Sequence, residues 1–357
     1  MQSKNPTNLF TWEEWLEKYP YFQSQLLSKS LPYCESNSPE WHANRIKGIG
    51  GSDTGKIMGV SQYGGQYEVF QEKVNGYHED ISMEYPILRG NALEPVLRIR
   101  YAVENPDLNI IYKIPTQYDV GLPHRRVNVD GLIVDSDGVI TVIECKSASV
   151  WAYLGWSSLH PDSYKTQVYW AMGILGLKQA RFIYDIGGNN ESFPMAIDEE
   201  RVRELFTICD SFWVDFILAK VEPKPTASAI KMINKQIKKP TGKIIDIIDN
   251  PELLADIMQF DEYRAMEKSA KANKEDFKAR IANAIAKEKC DGINIGRFKA
   301  TYKRKNEFNS EKFQDENPKI ALQCQKFDAS KLKKIDKNKH AEYSELTGSP
   351  TLSVKEK

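Results

Sequence analysis

The apolar positions near the start of the chain recur at helical spacing. Across residues 10–48, Trp12, Trp15, Tyr19 and further aromatic residues follow the three- and four-residue steps of an α-helix. Proline residues late in this stretch, Pro32 among them, indicate a turn. The pattern predicts an aromatic-rich, helical N-terminal segment.

A second helical pattern covers residues 88–104 and places Leu97 and Tyr101 on one face. Proline is favoured in the first turn of a helix, where its missing N–H has no partner to lose. Pro95 therefore predicts a helix that starts near this residue, with Glu94 close to its N-terminus.

Strand spacing replaces helical spacing between residues 125 and 146. The run RRVNVDGLIV is followed by the turn residues DSDG and then by the apolar run VITVIECK, which predicts a β-hairpin with Ser136 and Asp137 at the turn centre. Residues 162–178 return to helical spacing, and ARFIYDI is a further apolar strand. Strand, strand, helix and strand in this order predict a mixed α/β core.

The hairpin brings acidic residues together. Because side chains alternate along a strand, Asn128 and Asp130 share a face, as do Glu144 and Lys146. With the predicted turn, residue 130 pairs with residue 143, so Asp130 lies diagonal to Glu144. Diagonal neighbours are about 7 Å apart at Cα, which allows both carboxylates to reach one ion.

This arrangement favours a hard metal ion. Two close carboxylates repel each other and are unfavourable on a half-buried strand unless a cation neutralises them. Oxygen ligands without a His or Cys cluster favour Mg²⁺ or Mn²⁺ over zinc. Lys146 adds a positive charge suited to activating water or balancing charge on a phosphate. The pattern D-x13-E-x-K is weak alone, and a solvated strand face is its ordinary alternative, but the apolar run before Glu144 favours a site.

The second half of the chain has a different character. PKPTAS resembles a linker, residues 251–289 predict a long charged helix, INIGRFKATYKRK alternates like a strand, and a Lys-rich tail predicts mostly loops. We therefore expect a domain over residues 1–222 and a helical and stranded extension over residues 223–357, for oligomerisation, DNA contact or partner contact.

Charge is divided between these two parts. The 357 residues carry 49 basic and 49 acidic side chains, but residues 221–357 hold 29 basic against 21 acidic ones. An excess of positive charge suits contact with phosphate, although two solvated surfaces of opposite sign are the simpler interpretation. No apolar run approaches the roughly 18 residues of a membrane span, and the polar start does not resemble a signal peptide, so we expect a cytoplasmic protein.

The five cysteines are scattered and contain no CxxC pair, which argues against zinc and a disulfide framework. Cys34 also has no closely spaced cysteine trio downstream with which to hold an iron–sulfur cluster. GGSDTGK fits most of a P-loop, but Ile57 stands where magnesium binding needs Ser or Thr, so we do not predict a nucleotide site.

Four motifs resemble one family in order and spacing: HANRIKGIGGSDTGKIMGVS, RGNALEPVLRIRYA, VNVDGLIVDSDGVITVIECKSAS and SYKTQVYWAMGILG. Together, across roughly residues 40–190, they resemble the YqaJ-type viral recombinases, relatives of lambda exonuclease in the PD-(D/E)xK nuclease superfamily. The resemblance implies a restriction-endonuclease-like α/β core, a central mixed sheet flanked by helices, here with a helical, basic C-terminal extension.

The resemblance also implies a metal site for one or two Mg²⁺ or Mn²⁺ ions. Glu94, Asp130 and Glu144 match its carboxylate ligands, and the backbone carbonyl of Cys145 matches a further ligand. Asn128 departs from lambda exonuclease, where a small hydroxyl residue stands at this point.

Four more residues match functional positions of the family. Lys146 matches the catalytic lysine, and Gln167 matches a glutamine that positions water or substrate. Arg45 and Ser52 match a pocket for a 5′-terminal phosphate. The run GIGGSD supports that pocket, because Ser52 as an N-cap would leave backbone N–H groups free for an anion; a plain helix cap without a ligand is the alternative.

The activity implied is magnesium-dependent 5′ to 3′ degradation of linear double-stranded DNA from phosphorylated ends. It leaves 3′ overhangs for a single-strand annealing protein in phage-type recombination. Relatives form rings, so we expect a homo-oligomer encoded by a phage or prophage. The alternatives are a structure-specific or restriction-type endonuclease with the same core, and a catalytically silent factor that binds DNA ends.

Overall fold

The chain divides into two compact units, Met1–Gly242 and Lys243–Lys357, in the computed structural model. The structure describes residues 6–77, 83–154, 158–236, 249–322 and 328–356. Residues 223–236, which the sequence analysis placed with the extension, group with the first unit. Cys324 lies outside the described residues, and the other four cysteines are free thiols.

The first unit contains two sheets within the described residues. Its strands are β1 (Leu9–Thr11), β2 (Ser28–Ser30), β3 (Asn109–Tyr112), β4 (Gln117–Asp119), β5 (Arg126–Val127), β6 (Gly131–Val134), β7 (Ile140–Ala148), β8 (Gln179–Ile186) and β9 (Asn189–Ala196). Six of them form a mixed sheet in the order β1-β3-β6-β7-β8-β9, and β2, β4 and β5 form a small antiparallel sheet. Strands β7 and β8 are parallel, whereas β6 and β7 are antiparallel.

Helices flank the large sheet. They are α1 (Trp12–Lys18), α2 (Pro39–Arg45), α3 (Gly51–Ile57), α4 (Gln66–Asn75), α5 (Tyr85–Glu104), α6 (Val150–Leu154), α7 (Asp162–Leu175), α8 (Glu199–Phe212) and α9 (Ile230–Gln236). Short 3₁₀ turns occupy Phe22–Gln25 and Ala227–Ala229, and Trp213–Leu218 is a π-helical turn.

Alternation along β7 explains why the sheet is covered on both faces. Ile143 packs with Leu97 of α5 in one apolar cluster, whereas Val142 packs with Val168 of α7 in another. A strand covered on both faces reads as a nearly continuous apolar run, as VITVI does. The predicted mixed α/β core with flanking helices is confirmed.

Helix α5 begins about three turns before the predicted start. Pro86 occupies its first turn, and Pro95 lies inside the helix. The expectation that Pro95 opens the helix and that Glu94 lies near the N-terminus was wrong, because an earlier proline already fills the favoured position. Glu94 instead lies in the middle of the helix.

The N-terminal segment is less helical than its spacing predicted. Between residues 6 and 38, only Trp12–Lys18 forms an α-helix, and the chain then passes through a 3₁₀ turn and strand β2. The aromatic residues are buried as expected, with Trp15 at 3% and Phe22 at 2% exposure, whereas Tyr19 is largely exposed. The spacing of these aromatic residues therefore reflects their burial and not one continuous helix.

The second unit combines one long helix with a small sheet. Its elements are α10 (Pro251–Lys287), β10 (Gly292–Ile295), β11 (Phe298–Phe308), α11 (Ser310–Glu316), α12 (Pro318–Leu322), α13 (Ala329–Ile335), α14 (Lys337–Glu342) and β12 (Ser344–Glu356). Strands β10, β11 and β12 form an antiparallel sheet, and Phe313, Leu332 and Tyr343 form a small core.

Two expectations about this unit were wrong. The stretch 293–305 is not one strand, because Gly296 adopts a φ of 54° and turns the chain between β10 and β11. The Lys-rich tail is not mostly loop, since short helices and β12 occupy it. Among the described residues, no helix is long and apolar enough to cross a membrane.

A cluster of four charged residues joins α2, α3 and α4. Arg45 contacts Asp53 at 2.7 Å and Glu72 at 2.6 Å, and Lys73 contacts Asp53 at 2.8 Å. Asp53 is fully buried. Burial alone would raise the pKa of Asp53, but the Arg45 guanidinium and the Lys73 ammonium outweigh it and hold that pKa well below its usual range.

The variant Asp53→Asn is expected to lose about 3–5 kcal/mol of unfolding free energy at pH 7, because it leaves the cations Arg45 and Lys73 with a single carboxylate, Glu72, as counter-charge. Urea denaturation measures the loss. The control is Asp162→Asn, which removes an exposed pair with Lys165 and is expected to change stability by less than about 1 kcal/mol.

The difference in unfolding free energy between the wild type and Asp53→Asn should also depend on pH. A lowered pKa in the folded state stabilises the fold above the unfolded-state pKa, about 3.9, and this contribution is lost as the pH falls toward the folded-state value. The difference in unfolding free energy between the wild type and Asp53→Asn should therefore be constant near neutral pH and should become smaller below about pH 4. A gap that widens in acid contradicts the assignment.

Candidate active site

A cavity of about 260 Å³ opens where α5, the start of β6, the end of β7 and α7 meet. Its lining includes five residues predicted from separate parts of the sequence: Glu94, Asp130, Glu144, Lys146 and Gln167. The structure therefore places these five predicted residues around one cavity.

The hairpin pairs one residue out of the predicted register. Gly131 pairs with Ile143, so Asp130 lies opposite Glu144 and not opposite residue 143. The cause is the turn, which is a three-residue loop with Gly138 at φ 78°. Because a shift of one residue moves a side chain to the other face, this register puts Asp130 and Glu144 on the same face.

The first strand of the hairpin is also interrupted. Strand β5 ends at Val127 and β6 begins at Gly131, so Asn128 and Asp130 do not share one continuous strand as expected. Asn128 accepts a hydrogen bond from the Thr116 hydroxyl at 2.6 Å. The break leaves Asp130 immediately before β6, beside the middle of β7.

Asp130 is held by the backbone of β7. Its Oδ2 accepts a hydrogen bond from the Cys145 backbone N–H at 2.7 Å. Burial raises the pKa of Asp130 well above its usual value, and the carboxylates of Glu144 and Glu94 raise it further. The N–H and C=O of one strand residue point to the same side, so the Cys145 carbonyl also faces the Asp130 side.

Glu144 is 2% exposed, and its Oε1 lies 2.5 Å from the Lys146 ammonium. That oxygen accepts no hydrogen bond of good geometry in the described structure. Burial raises the pKa of Glu144, Lys146 opposes the rise, and Glu94 adds to it. The sheet therefore buries an acid whose charge is only partly compensated.

Lys146 is fixed by three neighbours. Besides Glu144, its ammonium donates to the Gln167 carbonyl at 3.3 Å and lies 4.9 Å from the centre of the Tyr164 ring. Burial alone would lower the pKa of Lys146, but Glu144 and Asp130 raise it above its usual value. The side chain is thus a fixed positive charge. Sequence reasoning did not identify Tyr164 at this site.

Helices α3 and α7 lie very close together beside the site, at Gly51 and Gln167. A Cβ added to Gly51 would lie 2.9 Å from Gln167 Cγ. One glycine of the GIGGSD run therefore serves helix packing beside the site, a role that the sequence analysis did not assign to it.

Arg98 is a site residue that the sequence analysis missed. It forms an ion pair with Glu94, one turn earlier on α5, and donates to the Asp130 carbonyl at 3.0 Å. It is 9% exposed. The spacing of four residues between Glu94 and Arg98 was visible in the sequence, and a buried arginine needs such a partner.

The donor set fits a hard divalent cation, although the carboxylates are paired with protein groups. Among the described residues, no three His, Cys, Asp or Glu side chains are grouped closely enough to hold a metal ion as they stand. Glu94 pairs with Arg98, and Glu144 with Lys146. Asp130 and Glu144 lie opposite each other and burial raises the pKa of both carboxyls, an unfavourable arrangement that a divalent cation would relieve.

The two predicted phosphate residues contact each other, and one of them, Arg45, lines a second cavity. Arg45 Nη2 donates to the Ser52 hydroxyl at 3.1 Å. Ser52 is not the N-cap of α3 as expected, because Gly50 holds that position and the Asp53 side chain accepts from the Gly50 N–H. Arg45 lines a cavity of about 750 Å³.

The two cavities adjoin each other. Ile87 and Asn91 of α5 line both. Arg45 is shared between Ser52 and the carboxylates of Asp53 and Glu72, so part of its guanidinium is already engaged.

Comparison with known proteins finds a family match over part of the chain. Residues 40–178 match the family described as the YqaJ-like viral recombinase domain. YqaJ of Bacillus subtilis (strain 168), described as uncharacterized, is 28% identical over 209 residues, which cover 56% of this chain and 62% of that protein. The matched region thus spans less than two thirds of that relative.

Among solved structures, the alkaline exonuclease LHK-Exo from Laribacter hongkongensis is 19% identical with a TM-score of 0.43, covering 56% of this chain and 100% of that one. The complex of LHK-Exo with dAMP gives a TM-score of 0.44 at 19% identity and the same coverage. The family match agrees with the resemblance found from the four motifs. Residues 40–178 are therefore similar to the YqaJ-like viral recombinase domain.

Proposed function

We propose that this domain is a metal-dependent exonuclease that acts on DNA in recombination. Its substrate is linear double-stranded DNA with a 5′-phosphorylated end, and it degrades the 5′-ended strand to leave a 3′ overhang. The observation that carries the proposal is the convergence of Glu94, Asp130, Glu144, Lys146 and Gln167 on one cavity. Acidic ligands beside a fixed ammonium are suited to hydrolysing a phosphodiester.

The three carboxylates would hold one or two Mg²⁺ or Mn²⁺ ions, with the Cys145 carbonyl as a further oxygen ligand. Such an ion, when bound, polarises a phosphoryl oxygen and lowers the pKa of water. Asp130 keeps its orientation through the Cys145 N–H, and Arg98 orients Glu94 from within the same helix. These contacts support the arrangement without being ligands themselves.

Lys146 serves as a charge and not as a base, because its carboxylate neighbours favour its protonated form. Its ammonium stabilises the negative charge that develops on the phosphate during attack. Gln167 fixes the ammonium through its carbonyl, which leaves the Gln167 amide N–H groups to orient water or substrate.

The polarity of degradation depends on the neighbouring cavity. Arg45 and Ser52 would bind the terminal 5′ phosphate there, and the adjoining first cavity would receive the scissile bond. A guanidinium suits this role because it binds phosphate through several N–H groups. The 3′ overhang would pass to a single-strand annealing protein. The resemblance to the family also implies that the chain assembles into a ring-shaped homo-oligomer.

The assay that separates this function from its alternatives compares DNA ends. A linear duplex with a 5′ phosphate, the same duplex with a 5′ hydroxyl, and a closed circle are incubated with the protein and Mg²⁺. Cutting of the circle supports the endonuclease alternative. Binding to ends without any degradation supports the catalytically silent alternative.

Lys146→Ala is expected to reduce the rate of degradation by a factor of roughly 10²–10³, because it removes preorganised charge stabilisation. Release of nucleotides from a linear duplex measures the rate. Lys178→Ala is the matched control, since Lys178 is an exposed lysine paired with Glu199, and it should retain wild-type activity. Full activity of the Lys146→Ala variant would contradict the proposed mechanism.

Chelation with EDTA is expected to abolish degradation, and Mg²⁺ or Mn²⁺ to restore it. Glu94→Gln should raise the Mg²⁺ concentration needed for half-maximal activity by at least about 10-fold. Losing a residue that only supports a metal ligand already weakens metal binding by about 10-fold or more, and the loss of a ligand itself should cost at least as much. The control is Glu104→Gln, an exposed glutamate of the same helix paired with Arg100. Equal Mg²⁺ requirements in both variants would show that Glu94 does not hold the ion.

Ser52→Ala is expected to reduce the preference for a 5′-phosphorylated over a 5′-hydroxyl end by roughly 5–10-fold, the effect of about 1 kcal/mol for one hydrogen bond. The hydroxyl-ended duplex is the internal control, and its rate should change little. A preference that survives unchanged in Ser52→Ala removes this residue from the phosphate pocket.

A further inference from the structure

A carboxylate lies in the cavity that we assign to the terminal 5′ phosphate. Glu72 of α4 lines this larger cavity together with Arg45, and its Oε1 accepts a hydrogen bond from Arg45 Nε at 2.6 Å. Both side chains are partly open to solvent, Glu72 at 15% and Arg45 at 18% exposure. A negative charge beside a phosphate-binding cation weakens the binding of a phosphate, so Glu72 opposes the role that we give to Arg45.

Arg45 has other anchors besides the charge of Glu72. Its Nη2 donates to Asp53 at 2.7 Å and to the Ser52 hydroxyl at 3.1 Å, and its guanidinium lies 5.3 Å from the centre of the Trp41 ring. Asp53 is fully buried. Removing the charge of Glu72 therefore leaves the guanidinium held on two sides.

The charge cluster around Arg45 is neutral as a whole. Arg45 and Lys73 contribute two positive charges, and Asp53 and Glu72 contribute two negative ones. A phosphate monoester carries a charge of about −1.5 to −2 at pH 7, and here it meets a cation whose charge is already balanced. Without the charge of Glu72, two positive charges would face one negative charge, and the cluster would attract an anion.

Two anions that share one guanidinium also repel each other directly. Glu72 already accepts from Arg45 Nε, and a phosphate on the remaining N–H groups would lie within the roughly 4–6 Å over which like charges act strongly on each other. Over that range one like charge changes a binding equilibrium by about 10-fold or more. The carboxylate therefore lowers the affinity of the cavity for a phosphate.

The products of the proposed reaction explain why low affinity is useful. Water attacks the scissile phosphate, the bond from its phosphorus to the 3′ oxygen of the terminal nucleotide breaks, and that oxygen leaves as a hydroxyl. The released mononucleotide keeps its own 5′ phosphate, and the shortened strand carries a new one. The mononucleotide must leave Arg45 before the new 5′ phosphate can bind there.

We infer that Glu72 competes with the terminal 5′ phosphate for Arg45 and thereby speeds release of the mononucleotide after each cut. This inference rests on the proposed function. Glu72 acts through Arg45 as a positioning residue and takes no part in the chemical step. The neutral cluster holds the phosphate long enough to orient the DNA end and lets the product leave afterwards.

The variant Glu72→Gln separates charge from hydrogen bonding, because the amide oxygen can still accept from Arg45 Nε. Binding of a duplex with a 5′ phosphate, and of the same duplex with a 5′ hydroxyl, is measured in EDTA, where no degradation is expected. The preference for the phosphate should rise by about 10-fold in Glu72→Gln. With Mg²⁺, both KM and the maximal rate of degradation should fall, because tighter binding slows product release.

Inhibition by the product gives a second measurement. Deoxyadenosine 5′-monophosphate should inhibit degradation of a linear duplex by Glu72→Gln at a concentration about 10-fold lower than for the wild type. Deoxyadenosine, which lacks the phosphate, should affect both proteins equally. A variant that is only destabilised loses affinity and does not gain it, and urea denaturation measures its stability.

Glu84→Gln is the matched control, since Glu84 lines the same cavity but pairs with Lys231 at 3.9 Å. It should change the preference for the phosphate by less than about 2-fold, because its side chain is 53% exposed and solvent screens its charge. The double variant Glu72→Gln/Arg45→Gln should show no gain over Arg45→Gln alone, because Glu72 acts through Arg45.

Failure of this inference and failure of the proposed function give different results. A wild type that binds the two DNA ends equally overturns the phosphate pocket and this inference together. A wild type that prefers the phosphate, with a preference that Glu72→Gln leaves unchanged or lowers, overturns this inference alone. An equal gain in Glu84→Gln, or a gain that persists without Arg45, also overturns it.

Discussion

Two carboxylates placed opposite each other, one midway along the buried strand β7 and one at the start of β6, are the constraint on which the rest of this structure depends. Asp130 and Glu144 lie opposite each other, and burial raises the pKa of both. Such an arrangement opposes folding unless positive charge is close by. Lys146 and Arg98 supply that charge from β7 and α5, and the Cys145 N–H supplies a hydrogen bond.

The layers on either side of the sheet hold those partners in place. Alternation along β7 directs its apolar residues to both faces, where α5 and α7 cover them. Each covering helix then contributes polar residues beyond the apolar contact, Glu94 and Arg98 from α5 and Gln167 from α7. The packing that stabilises the sheet is therefore also what positions the site.

A separate charge cluster orders the part of the unit that adjoins the site. The contacts among Arg45, Asp53, Glu72 and Lys73 join α2, α3 and α4, and Arg45 faces the larger cavity at the same time. One guanidinium thus serves both fold and candidate ligand site. Its carboxylate neighbours limit how much of its charge remains available to a phosphate.

The sequence by itself determined the hairpin that carries Asp130, Glu144 and Lys146 and the helical segments on either side of it, because strand alternation and helical spacing are local properties. Glu94 and Gln167 were assigned to the site only through the resemblance of the four motifs to a known family. The sequence did not determine the register of the hairpin. The expected two-residue turn placed Asp130 diagonal to Glu144, and only the three-residue loop at Gly138 set them opposite. Turn length is decided by strand pairing as well as by turn residues.

Tertiary structure alone decided the other contacts. Arg98 pairs with Glu94 at a spacing common on solvated helices, and its importance follows from burial against the Asp130 carbonyl, which no local pattern reveals. In the same way, Gly51 was expected to belong to an anion-binding turn, and it is the approach of α7 that makes it a packing position beside Gln167. Contacts between residues far apart in the chain depend on how the layers assemble, and spacing along one segment carries no record of that assembly.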